Sequence, residues 1–286
     1  MDSAEETAAQ LPCWLGPVRP IRLKGGISNE NFLVDDHGRK FVVKINGDVP
    51  EHGVWRANDI VCNRAAAGVA PEVHHSEAEA IVVAYVNGRT LNVADVRDDG
   101  NLARFLTIVR RTHNDAYREI RGPVCGFWPF RVCRGYALFL DQNGGRMKGE
   151  VDRLRAANEQ LEKIVGPVDM VLGHNDLLAA NLIDDGEHLW LIDWEHAGLT
   201  SPLFDLANLS SNNVLSNSQE RWFLETYFER TADEQLLRRF QAMKCSSLLR
   251  EAMWNMVSEL TSTLDFDYVA YPDQFLGRFE GQFGRL

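Results

Sequence analysis

The residues from Val171 to Glu195 constrain this chain more than any other stretch. They read Val171-Leu172-Gly173-His174-Asn175-Asp176-Leu177-Leu178-Ala179-Ala180-Asn181-Leu182-Ile183, then Asp184-Asp185-Gly186, then His188-Leu189-Trp190-Leu191-Ile192-Asp193-Trp194-Glu195. Asp-Gly between two short apolar runs signals a β-hairpin. Such a hairpin brings Asn181, at its entry, near Asp193, at its exit. A carboxylate and an amide oxygen held together form a hard-oxygen site suited to Mg²⁺. Asp176, five residues before Asn181 on a loop, is placed to accept a proton from a substrate hydroxyl. Most loop Asp and Asn residues merely cap turns and helix ends. A second half at matching distance, after an apolar strand, weighs the motif toward chemistry.

The chain before this motif divides by pattern. Phe32-Leu33-Val34 and Lys40–Ile45 flank the turn-forming Asp35-Asp36-His37-Gly38 and predict a hairpin. A helix is expected from about Trp55 to Ala67, stopped by Gly68 with Pro71 beyond. Ala80–Val86 reads as a buried strand ended by Asn87-Gly88. From Leu91 the helical period takes over: Leu102, Phe105, Leu106 and Val109 share one face, as do Val151, Leu154, Leu161 and Val165. Further helices are expected near Gln219–Phe228 and Leu236–Leu264. The fold class is α+β, with a small β-rich N-terminal lobe over 1–88 and a larger, mainly helical C-terminal lobe over 89–286.

Composition excludes some roles. Thirty Lys+Arg against forty-one Asp+Glu give a net charge of -11, the wrong sign for gripping nucleic acid or anionic lipid. It suits a cationic small substrate, although solubility alone accounts for it. The five cysteines are scattered without a C-x-x-C pair, which suggests neither a zinc site nor a disulfide framework. The acidic amino terminus lacks the features of a signal peptide, and the apolar Ala80–Val86 run is too short to span a bilayer. The expectation is a cytoplasmic protein with no stable membrane insertion, of open oligomeric state.

Two upstream features fit the motif. Gly25-Gly26-Ile27-Ser28-Asn29-Glu30-Asn31 precedes the first hairpin strand, and small residues there let backbone N–H groups approach phosphates. Alone, such a stretch is more often just a turn. Lys44 falls inside an apolar strand, where an unpaired ammonium is costly. It is either an edge lysine reaching solvent or a clamp on nucleotide phosphates, and the downstream motif favours the clamp.

The H-x-D-x-x-x-x-N arrangement with its following Asp resembles the catalytic and metal-binding loops of the protein-kinase-like bilobal fold. More specifically, the chain resembles the choline/ethanolamine kinase family, relatives of the aminoglycoside phosphotransferases. The resemblance rests on Gly25–Asn29, Val43-Lys44, Val86–Leu91, His174-Asn175-Asp176, Asn181, Ile192–Glu195, Phe204–Asn208 and Trp254…Phe266–Tyr271, in the family's order. It implies Asp176 as catalytic base and Asn181 and Asp193 as Mg²⁺ ligands, with Glu195 a candidate for a second ion. It implies Lys44 on the ATP phosphates and Gly25, Gly26, Ser28, Asn29 and Asn31 in the loop covering them. The backbone around Ala84 and Val86 would meet adenine. Trp254, Tyr268 and Tyr271 would wall the alcohol's cationic head. The chain departs from the family where a helix Glu usually pairs the strand lysine; Asp59 is the substitute in reach. Glu251, Asn212 and His196 stand where the family commonly has Trp, Glu and Tyr. These changes weaken the choice of alcohol, not the phosphotransfer.

A quaternary ammonium has no N–H to donate and is best held by aromatic faces with negative charge nearby. Trp254, Tyr268 and Tyr271, near Asp265, Asp267 and Glu251, offer both; on their own these aromatics read as core packing, and the resemblance is what favours the cage. Phe275, Phe279 and Phe283, at i, i+4 and i+8, are a core-facing stripe instead. The sequence therefore points to an ATP- and Mg²⁺-dependent kinase for the hydroxyl of choline or a related amino alcohol. The rivals are a kinase for ethanolamine, thiamine or an aminoglycoside, and a nucleotide-binding pseudokinase. Intact Lys44, Asp176, Asn181 and Asp193 argue against the last. His174 reads as an orienting residue and His113 as a structural one.

Overall fold

Apolar residues at alternate positions decide how the first sheet is covered. In the computed structural model, which describes residues 3–23, 30–45, 47–262 and 270–286, the chain opens with helix α1 (Ser3–Gln10). Strands β1 (Ile21–Arg22), β2 (Glu30–Asp36), β3 (Arg39–Ile45), β4 (Val73–Glu77) and β5 (Ala80–Ala84) then form an antiparallel sheet in the order β1-β2-β3-β5-β4. Phe32 and Val34, Phe41 and Val43, and Ala80 and Val82 point to one face and pack with Ala4, Ala8 and Leu11. Because side chains alternate, Lys44 points to the other face. The β2/β3 hairpin turns on His37 and Gly38, at φ 54° and 84°, as a two-residue turn of this hand requires.

Helix α2 (Arg56–Ala65) lies between β3 and β4. Its Cys62 and Ala65, with Ala66, Val69 and Ala70 just beyond the helix, join the large core, which is otherwise built by the helical part. That part runs through β6 (Arg89–Thr90), α3 (Val93–Val96), α4 (Asp99–Arg111), α5 (Pro129–Asn143) and α6 (Val151–Val165). Next come β7 (Val171–Gly173), β8 (Leu182–Asp184), β9 (Leu189–Leu191), β10 (Gly198–Thr200), α7 (Pro202–Asn213), α8 (Asn217–Phe228), α9 (Glu234–Thr261) and α10 (Ala270–Phe283). The 28-residue α9 runs through the middle: from Leu248 to Ser258 only Glu251 is not buried. Helices α5, α6, α7 and α10 pack around it. Leu102, Phe105, Leu106 and Val109 of α4 are buried, as are Val151, Leu154, Leu161 and Val165 of α6, in agreement with the spacing. Phe275 and Phe279 are buried as expected, and Phe283 packs against the same core. No helix among the described residues is long and apolar enough to cross a membrane.

The crossing from sheet to helices is pinned by a glycine. β6 adds to the β8/β9 hairpin through Arg89↔Asp184 and Thr90↔Ile183. A methyl group on Gly88 would stand 2.6 Å from the Asp184 carbonyl oxygen and 2.7 Å from Ile183 Cγ2. Gly88→Ala should therefore lift the crossing strand from the hairpin and cost about 1–3 kcal/mol, as overpacking typically does. Urea unfolding measures it, and an unchanged midpoint would show that the crossing yields freely.

Candidate active site

The β8/β9 hairpin does what the Asp-Gly signal requires. Leu182 pairs with Leu191, and Ile192 N donates to Asn181 O at 2.9 Å, which puts Asn181 one residue from Asp193 across the ladder. Asp193 then turns out of the strand at φ 69°, a left-handed conformation that Asp and Asn tolerate better than most residues. Lys44 Nζ reaches across from β3 and donates to Asp193 Oδ1 at 2.5 Å. Burial alone would lower the lysine's pKa, but the carboxylates of Asp193, Asp59 and Glu195 outweigh it and hold the ammonium charged. The same pairing keeps Asp193 below the usual carboxylate range despite burial.

Asp176 stands on the loop between β7 and β8. Asn181 Nδ2 donates to its backbone oxygen at 2.9 Å and to its Oδ2 at 3.1 Å. Its Oδ1 lies 3.7 Å from a guanidinium nitrogen of Arg250 on α9. Burial raises the Asp176 carboxyl well above the ordinary range; Arg250 opposes the shift, while Glu251, Asp193 and Glu195 add to it. His174 Nε2 donates to the Ile192 oxygen at 2.9 Å, which leaves Nδ1 to face the Asp176 N–H at 3.3 Å. Burial depresses this imidazole's pKa, so the ring is neutral and orients the loop, as the sequence suggested.

The loop itself hangs on Asp205, in the first turn of α7. Its carboxylate accepts from His174 N at 2.8 Å, Asn175 N at 2.7 Å and His113 Nε2 at 2.9 Å. His113 is presented by a π-helical turn, Thr112–Ala116, that extends α4, and its Nδ1 meets the Tyr227 hydroxyl at 2.6 Å. One turn along α7, Asn208 Oδ1 accepts from Leu177 N at 2.6 Å, and Asn213 Nδ2 donates to Leu177 O at 3.0 Å. Gly173 permits this close approach, because a methyl there would meet Thr200 Cγ2 at 2.2 Å and Asp205 Oδ2 at 3.0 Å.

The remaining expected residues are placed as follows. Glu195 is buried, with Oε1 3.9 Å from His196 Nε2. Asn31 sits directly opposite Lys44 in the β2/β3 ladder, and its Oδ1 is buried without a hydrogen-bond partner. At the end of β5, Ala84 N donates to Glu72 O and Tyr85 N to Lys40 O, while Val86 O accepts from Gly88 N. Trp254, one turn beyond Arg250 on α9, is buried and lies over the His52 imidazole, with centroids 5.0 Å apart. Gly25, Gly26, Ser28, Asn29 and Tyr268 fall outside the described residues; Tyr271 belongs to the first turn of α10. Asp59 is fully buried on α2, where it pairs with Arg56 rather than receiving a hydrogen bond from Lys44.

Several residues here were not singled out for the site from the sequence: Arg250, His113, His52 and Asn58. Asn58 ties α2 to the segment after Asp193 by donating to Ala197 O at 2.8 Å, and to the stretch before α5 by accepting from Cys125 N at 2.8 Å. A usable signal did exist for Arg250. Arg250-Glu251 interrupts an apolar run between Leu248-Leu249 and Ala252-Met253, and charges inside such a run need partners.

Burial would raise the Asp205 carboxyl, but the hydrogen bond and charge of His113, with help from His174, leave it below its ordinary value. An acid with a depressed folded-state pKa adds stability above its unfolded value and loses it as pH falls through the folded one. Asp205→Ala should cost about 3–5 kcal/mol at pH 7, as removal of one partner from a buried charged network does. The gap to the parent should shrink as pH drops below about 4. Urea titrations at both pH values test this, and a gap that does not depend on pH would contradict it.

The choline/ethanolamine kinase family profile matches residues 21–279. Protein LicA of Haemophilus influenzae is 28% identical over 221 residues, covering 74% of this chain and 63% of that protein. Ethanolamine kinase 2 of Mus musculus is 24% identical, covering 89% of this chain and 73% of that protein. The crystal structure of choline kinase LicA from Streptococcus pneumoniae superposes with a TM-score of 0.79 at 22% identity, covering 99% of this chain and 98% of that one. The α+β, protein-kinase-like fold expected from the sequence is therefore the one this chain adopts. With a match across nearly its whole length, the chain belongs to the choline/ethanolamine kinase family, phosphotransferases with an alcohol group as acceptor.

Proposed function

We propose that this chain is an ATP- and Mg²⁺-dependent kinase that passes the γ-phosphoryl group directly to the hydroxyl of choline or a related amino alcohol. The observation that carries the reading is the shared hairpin: Asn181 bonds Asp176 on one side and is tied through Ile192 to the stretch leading into Asp193, which faces Lys44. The division of labour follows two lobes meeting near Gly88, with 1–88 on the nucleotide side and 89–286 on the acceptor side.

The donor set fits the metal. Asp193 and Asn181 supply a carboxylate and an amide oxygen from neighbouring positions of one hairpin, and Mg²⁺ takes one or two protein oxygens and completes its shell with water and phosphate. Glu195 is the candidate ligand for a second ion. Bound there, Mg²⁺ supplies charge neutralisation on the phosphates. Lys44 serves the same end from β3, the Gly25–Asn31 stretch is assigned to the phosphates by the family resemblance, and the backbone of Ala84 and Val86 is offered to adenine. Asp176, held by Asn181, takes the proton of the incoming hydroxyl. Such a site works by positioning and preset charge rather than through a phosphoenzyme.

On the acceptor side Trp254 supplies an aromatic face, with Glu251 one turn away and Tyr268 and Tyr271 following in the chain. Turnover of ATP measured over choline, ethanolamine, thiamine and an aminoglycoside, with and without Mg²⁺, tests the whole reading. Clean ATP binding with no turnover on any of them would replace the enzyme by a binding module.

Two substitutions test the roles. Asp176→Asn keeps shape but cannot take the proton, and kcat should fall about 10²–10⁴-fold with the KM for ATP nearly unchanged. A fall of less than about tenfold would remove Asp176 from the base role. Trp254→Leu keeps apolar bulk but loses the π face, so the KM for choline should rise about 2- to 30-fold. The uncharged isostere 3,3-dimethylbutanol should be affected far less. Equal losses for both alcohols, with a lower melting temperature, would make Trp254 a core residue only.

A further inference from the structure

Arg250 is buried to 2% exposure in the most enclosed part of α9, among Leu248, Leu249, Ala252 and Met253. A guanidinium in such a place needs compensation. It has two anionic neighbours. One guanidinium nitrogen donates to Glu251 Oε2 at 2.6 Å and lies 3.7 Å from Asp176 Oδ1, beyond hydrogen-bond reach. The Nε atom is buried with no partner at all. Asp176 is thus held unevenly: Asn181 occupies Oδ2 at 3.1 Å, and Oδ1 feels the positive charge without a bond that would use up its lone pairs.

The geometry points to Arg250 as a positioning residue for Asp176, with Glu251 as the restraint that keeps Arg250 off it. An arginine free to approach would lock the carboxylate in a bidentate pair, the strongest hydrogen-bonding arrangement the two groups can make. Oδ1 would then be closed to an incoming hydroxyl. With its bond committed to Glu251, the guanidinium steadies the carboxylate and leaves Oδ1 open. This inference rests on Asp176 being the base of the proposed reaction.

A kinetic double-mutant cycle tests it: parent, Arg250→Met, Glu251→Gln and the double variant, with kcat, both KM values and melting temperature measured for each. Glu251→Gln should lower kcat about tenfold or more with the KM for ATP held, because it frees Arg250 to close on Asp176; any rise in the KM for the alcohol from the lost charge comes in addition. In the Arg250→Met background the same change should cost almost nothing in kcat. If Arg250→Met fails to fold, the cycle is run with Arg250→Lys, which keeps the charge but lacks the bidentate fork. Glu251→Gln should again cost much less in the lysine background than in the parent. Additive losses in kcat, or a Glu251→Gln variant that raises only the KM for the alcohol, would overturn the assignment. Failure of the underlying reading is distinguishable, since the parent itself would then phosphorylate no alcohol.

Discussion

Three donors converge on the carboxylate of Asp205, and the geometry of the site descends from that convergence. The backbone N–H groups of His174 and Asn175 both reach it, and Asn175 then turns the chain through a left-handed conformation at φ 65°. The third donor, His113, arrives from a π-helical turn, a local widening that recurs at functional sites. With its N-terminal residues fixed in this way, the loop presents Asp176 to Asn181 and Arg250. Asn208 and Asn213 then secure its next residue from the same helix. An ionised, fully hydrogen-bonded carboxylate in the interior costs much to disturb, which is how a loop acquires the stiffness that catalysis by positioning demands.

Charge at the site is arranged around this frame. Lys44 and Arg250 act among the carboxylates of Asp176, Asp193, Glu195 and Glu251. Such a gathering of carboxylates suits the divalent ion and the cationic acceptor of the proposed reaction. Lys44 bonds Asp193, while Asp59, buried next to Arg56, adds its charge. The lysine thus answers to two carboxylates, one bonded and one felt without a bond.

Much of this was legible in the sequence, and the rest was not for a definite reason. The Asp-Gly hairpin, the apolar stripes of α4 and α6 and the long α9 are local patterns, so spacing sufficed to read them. Asn181 and Asp193 could be brought together because the hairpin register links positions only a few residues from the turn. His113 and Asp205 are 92 residues apart, and no local rule predicts that a histidine after α4 will anchor a loop that follows β7. Arg250 poses the same difficulty with a stronger hint, since its charge is out of place in an apolar helix. The glycine-rich stretch at Gly25–Asn29 and the aromatic Tyr268, read from residue chemistry together with the resemblance, lie outside the described residues.

The central claim is that these residues move a phosphoryl group from ATP to an alcohol oxygen. ³¹P nuclear magnetic resonance of the protein with ATP, Mg²⁺ and choline reads this directly, because a phosphomonoester and inorganic phosphate give separate resonances. The account predicts a phosphocholine signal growing in step with ADP, absent when Mg²⁺ is chelated. ADP accompanied only by inorganic phosphate, with every alcohol offered, would contradict it.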